Sequence, residues 1–132
     1  DEIGFNYRLP NINAALGCAQ LEQLPDFVRR KRLLADAYRK KFSDVKGVEF
    51  FSERTGTTAN YWLNAILLDP DNAKHLDALL EALKEAGYHC RPVWEPMHRL
   101  PMFVDSPKMN LSVTDDVAER LINLPSSPCL VK

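Results

Sequence analysis

The chain has 132 residues, 45% of them hydrophobic and 27% charged, which suits one globular domain able to bury a core without staples. Its 17 Lys and Arg against 18 Asp and Glu leave a net charge of −1, so bulk charge gives no pull toward nucleic acid or an anionic membrane. Cys18, Cys90 and Cys129 are odd in number and widely spaced, which argues against a zinc site or a disulfide framework and for a reducing, cytoplasmic compartment. No apolar stretch reaches the length of a membrane span, and no signal-peptide pattern opens the chain. It starts on Asp1, not Met, from which we expect a start inside a longer gene.

Residues 1–10 are irregular, broken by Gly4 and Pro10. Asn11 is placed to cap a helix from Ile12 to about Leu24, and Pro25 suits the first turn of a second helix that ends near Ser43. The first helix is apolar all round, which requires cover on every side. The second has a core face of Phe27, Leu34, Tyr38 and Phe42, with Leu33 and Ala37 beside it. Gly47 marks a turn, Val48 to Phe51 a short strand, 52–59 a polar loop, and Tyr61 to Leu68 a buried strand.

Asp69-Pro70-Asp71 ends that strand. Leu76, Leu79, Leu80 and Leu83 then set the period of an amphipathic helix from about Ala73 to Ala86, stopped by Gly87. Tyr88 to Arg91 is a third short strand. Residues 92–112 are Pro-rich, with one helical turn near Met97 to Leu100. Thr114 caps a last helix over 115–122 with Val117, Leu121 and Ile122 inward, and Asn123 to Pro128 is extended. This order predicts an α+β fold: a short antiparallel sheet with helices packed on one face. The apolar first helix and the unpartnered aromatics Phe5 and Tyr7 suggest a piece of something larger. The alternative is that this helix is simply the central core helix.

Serine, cysteine and metal chemistry find little support. Ser126 and Ser127 lie in NLPSSP rather than a G-x-S-x-G elbow, and His75, His89 and His98 lack a metal-ligand spacing. Two segments stand out. Asn6-Tyr7-Arg8 places an amide, a phenol and a guanidinium just before a helix, a set suited to phosphate or carboxylate, or else a capped entry loop with Arg8 in an ion pair. The segment from Arg91 to Phe103 carries Arg91, Trp94 and His98 on a proline-stiffened loop, which could hold a base, sugar or diphosphate, or else wrap the core edge.

At these same segments the chain resembles a known family. GFNYRLPNINAALGCAQLEQL is similar to the signature following the lysine region of the DegT/DnrJ/EryC1/StrS aminotransferases, and RPVWEPMHRLPMF and LINLPSSP resemble the end of that family. The resemblance spans the chain and implies the small C-terminal domain of a fold-type I pyridoxal phosphate (PLP) enzyme that aminates nucleotide-linked keto sugars. The RPVW…H…P form and the LPSSP ending look most like the 4-amino-sugar branch leading to legionaminic acid or bacillosamine. By resemblance, Asn6 reaches across a homodimer interface to the partner subunit's cofactor phosphate, with Tyr7 and Arg8 near the shared site. His98 inherits a role facing the sugar nucleotide, with Arg91 and Trp94 in the same pocket, and residues 1–24 form an interface segment against the large domain.

The family's Schiff-base lysine and its pyridine-pairing Asp have no match here. None of the lysines is flanked like an activated one, so no catalytic residue, and no metal site, is expected in this chain. The resemblance implies glutamate as amino donor and inactivity of this piece alone. A related dehydratase, whose upstream lysine is replaced by histidine, and a non-catalytic sugar-nucleotide-binding module are the alternatives.

Overall fold

The structure, a computed structural model, describes residues 8–131; the expectations for Phe5, Asn6 and Tyr7 lie outside the described residues. Helix α1 (Asn11–Phe42) leads to β1 (Val48–Phe50) and β2 (Asn64–Leu68). A 3₁₀ turn (Pro70–His75) opens into α2 (Leu76–Glu85), followed by β3 (Arg91–Pro92), two short 3₁₀ turns, α3 (Ser112–Ala118) and β4 (Leu121–Leu124). The sheet is antiparallel, in the order β1-β2-β4-β3.

The register sorts the side chains. Phe50 pairs with Ile66, Ile66 with Ile122, and Asn64 with Leu124. Because side chains alternate along a strand, Phe50, Ile66, Leu68, Ile122 and Leu124 share one face. That face is the core, and Ala35, Tyr38 and Phe42 of α1 and Leu76, Leu79 and Leu80 of α2 pack on it. Glu49, Leu67, Leu121, Asn123 and Arg91 fall on the opposite face, so Arg91 is aimed away from the helices by register alone.

Several expectations are corrected. Pro25 does not start a second helix: α1 is one helix of 32 residues with Pro25 inside it. Proline's fixed φ is itself helical, so the helix can continue at the cost of one bond, the one its missing N–H would give to the Leu21 carbonyl. Leu21 is exposed, so water can take that place. Asn11 is the first helical residue rather than the cap; Pro10 precedes the helix, and its carbonyl accepts from the Ala14 N–H at 3.0 Å. In the core face of α1, Leu33 and Ala37 are exposed, and Ala35 is the fully buried residue instead.

The apolar first half of α1 is left open by the described residues: Ile12 is 78% exposed and Leu16 63%. It is therefore not a central core helix. The third strand is Arg91–Pro92 rather than Tyr88 to Arg91, because Tyr88 to Cys90 is spent on a tight turn closed by Cys90 N–H to Tyr88 C=O at 2.9 Å. The last helix ends at Ala118, Thr114 lies inside it, and Leu121 and Ile122 belong to β4, a central strand. A short apolar run buried on both strand faces has no period of its own to separate it from a helix. The stop at Gly87 holds: its φ is +83°, and Gly87 N–H to Lys84 C=O with Tyr88 N–H to Leu83 C=O closes the end of α2.

Candidate ligand cleft

The most distinctive surface lies where the loop before β2, strand β3 and the end of β4 meet. Residues 52–60 are pinned to α1 by Arg32, whose guanidinium meets Glu53 at 2.8 Å and also donates to the Ala59 carbonyl. The Glu53 carboxylate in turn accepts from the Ala59 N–H. The Arg32 hydrogen bond, with that backbone donor, holds the Glu53 carboxyl below the ordinary carboxylate range.

Tyr61 follows with φ +48°, a left-handed conformation that is costly for an aromatic residue. Its ring is buried, its hydroxyl accepts from Arg39 at 3.0 Å, and Arg32 lies over its face. This packing holds the turn and throws Trp62 outward. Expected inside a buried strand, Trp62 is instead 66% exposed, because β2 begins only at Asn64.

Trp62 stacks on Trp94, with ring centroids 6.3 Å apart and planes 18° from parallel. Trp94 is 72% exposed, and these are the chain's 2 tryptophans. Beside them opens a cleft of about 520 Å³ lined by both indoles, His89, Arg91, Asn123 and Ser126 among others. Exposed paired indoles run against burial preference, and a cleft with aromatic faces and a guanidinium is suited to a flat, anionic ligand. Sequence reasoning missed Trp62; its signal was an indole beside Asn60, whose side chain turns the chain by accepting from the Trp62 N–H at 2.9 Å.

His98 does not line this cleft. It faces a neighbouring cavity of about 510 Å³ with Met97, Phe103, Met109 and Leu111. Its Nε2 lies 2.9 Å from Asp115 Oδ1, and Arg99 holds the same carboxylate at 2.6 Å. The Arg99 hydrogen bond, helped by His98, keeps the Asp115 carboxyl below its ordinary value. The Pro-rich loop is thus moored to α3 by charge. Arg91 and Trp94 share one site, His98 sits next door, and Arg8 is exposed ahead of α1.

Ser126 is structural. Its Oγ donates to the Leu124 carbonyl at 2.7 Å and accepts from the Asn64 N–H at 2.8 Å. Asn64 is fully buried, with its Oδ1 unpaired. Burial raises the Cys90 thiol and lowers the Lys31 ammonium from their ordinary values. The other described lysines, Lys40, Lys41, Lys46, Lys74, Lys84 and Lys108, are exposed. Lys31 donates to two backbone carbonyls. Among the described residues no group of three potential metal ligands gathers, and no helix is long and apolar enough to cross a membrane.

Comparison with known proteins agrees on the family. The chain is 38% identical over 130 residues to the GDP-perosamine synthase of Escherichia coli O157:H7, across 98% of this chain and 34% of that protein. DesI, solved in the presence of its TDP-sugar product, matches with a TM-score of 0.78 at 28% identity, over 89% of this chain and 30% of that one. An Escherichia coli GDP-4-keto-6-deoxy-D-mannose-3-dehydratase with bound hydrated PLP shares the fold, with a TM-score of 0.81 at 21% identity, over 95% of this chain and 33% of that one. The chain thus spans about a third of the length of these proteins. The DegT/DnrJ/EryC1/StrS aminotransferase family model matches residues 1–132, and the chain belongs to that family.

Proposed function

We propose that this chain is the substrate-closing part of a PLP-dependent aminotransferase that aminates a nucleotide-linked 4-keto-6-deoxy sugar, with glutamate as donor. The observation that carries the proposal is the cleft in which two exposed, stacked indoles stand beside Arg91. In this reading the indole faces take the flat nucleobase and Arg91 the diphosphate, since a guanidinium matches phosphate oxygens with paired donors. Asn123, directly across from Arg91 in the sheet, adds an amide at the same wall. His98 contributes from the adjoining cavity, held in place by Asp115. Asn6 would meet the cofactor phosphate across a homodimer, with Tyr7 and Arg8 nearby.

PLP, when bound, supplies the electron sink for amine transfer. The described residues do not fit its covalent attachment. Lys31 is spent on two carbonyls and the remaining described lysines stand in solvent, not in an enclosed site. The chain's own work is therefore binding and orientation, and the chain alone does not transaminate. The dehydratase alternative shares the fold, and perosamine synthase is the nearer likeness by sequence.

The test is titration with UDP and GDP, followed by tryptophan fluorescence. Saturable quenching that is lost in Trp94→Ala supports the reading. No quenching by either nucleotide, in a chain shown to be folded, would sink it.

A further inference from the structure

The indole pair is useful only if its two sides keep their relative angle, and one side chain outside the cleft lies where it can enforce this. Lys31, on α1, donates from Nζ to the Trp62 carbonyl at 3.0 Å and to the Ser126 carbonyl at 2.7 Å. Trp62 and Ser126 both line the cleft and lie more than 60 residues apart in the chain, each two residues beyond the Asn64–Leu124 pair that ends the β2–β4 ladder, where the Asn64 N–H to Ser126 Oγ bond also joins them. Neither acceptor is a carboxylate, so this ammonium is placed as a cross-brace between backbone segments, not as a partner in an ion pair. At Trp62 the brace completes a clamp: Asn60 Oδ1 takes the N–H and Lys31 takes the carbonyl. The preceding Tyr61, at φ +48°, is a turn that must be held.

We propose that Lys31 is a positioning residue for the cleft, fixing the Trp62 backbone against the Ser126 wall and thereby the angle between the Trp62 and Trp94 rings. Its functional meaning rests on the ligand reading given above, while the geometric part does not. The Lys31 ammonium is partly buried, which lowers its pKa from the ordinary value.

The chain's 2 tryptophans are this pair, so its optical signals report on the cleft without background. The experiment compares the indole exciton signal in circular dichroism, and acrylamide quenching of Trp62 in a Trp94→Phe background, between the parent and Lys31→Met, Lys31→Gln and Lys31→Arg. Lys31→Met should lose most of the exciton signal and bind UDP or GDP about three- to tenfold more weakly, the loss expected for one or two hydrogen bonds. Cooperative unfolding should persist, Lys31→Gln should behave alike, and Lys31→Arg should restore most of the signal. An unchanged exciton signal and quenching in folded Lys31→Met would overturn the proposal. So would loss of fold in both Met and Gln variants, which would make Lys31 a purely structural brace. If the parent binds neither nucleotide while the exciton signal still depends on Lys31, the ligand reading fails and the positioning geometry stands. If nucleotide affinity survives without the exciton signal, positioning of the ligand by Lys31 is refuted.

Discussion

Arg91 and Glu53 show how single residues divide between binding and scaffolding. Arg91 is exposed on the sheet face turned away from the helices, so Arg91→Gln should leave the unfolding midpoint in place and weaken UDP and GDP binding by about tenfold, as expected for loss of a charge-assisted contact. Isothermal titration beside thermal unfolding separates the two effects, and equal affinity would remove Arg91 from the site. Glu53 does the opposite work. Its carboxyl is held below the ordinary range by Arg32, so the folded form binds its proton less readily than the unfolded form. Its contribution is full above the unfolded pKa and is lost as pH falls through the lower folded pKa. Acrylamide quenching of Trp62, in a Trp94→Phe background, should rise in that acid window as the 52–60 loop loosens. In Glu53→Gln it should be high already at neutral pH and lack the acid step.

At the scale of elements, the amphipathic pattern of α2, its Gly87 stop and the α+β class were legible because they rest on local rules: a 3.6-residue period and a glycine at positive φ. Central strand β4 was not, because Leu121, Ile122 and Leu124 are buried by neighbours on both sides, information that no short window contains. Ile122, fully buried, pairs with both Ile66 and Pro92, so Ile122→Ala should cost about 2–5 kcal/mol in chemical denaturation. The uninterrupted α1 is not legible because a proline after Leu24 reads as a helix boundary, whereas here its φ lets the helix pass. Of the cleft, Arg91 and Trp94 were legible as unusual groups on a stiff loop. Trp62 was not, since its exposure depends on the Tyr61 turn and the Arg32 clamp. Pro25→Ala should return a hydrogen bond and increase the helical signal in far-ultraviolet circular dichroism, with the core's unfolding midpoint little changed. An unchanged or smaller helical signal would show that Pro25 marks a real break.

At the scale of the whole molecule, the first half of α1 presents Ile12, Leu16, Leu21 and Leu24 to solvent. An isoleucine and three leucines exposed on one helix half offer apolar area that a partner surface or an apolar dye could cover. The chain in isolation should bind an apolar dye or self-associate in gel filtration, and Leu16→Glu should reduce both. A monomeric chain without dye binding would contradict this. The central claim is the proposal that this family member, which spans about a third of its relatives' length, supplies a ligand cleft but not the covalent lysine. The most direct measurement is pyridoxal phosphate titration of this chain, with borohydride reduction and peptide mapping of the labelled lysines. The account predicts weak labelling scattered over exposed lysines such as Lys40, Lys84 and Lys108, with Lys31 protected by its two carbonyls. Saturable, one-to-one labelling of a single lysine would contradict it and place the catalytic residue within this chain.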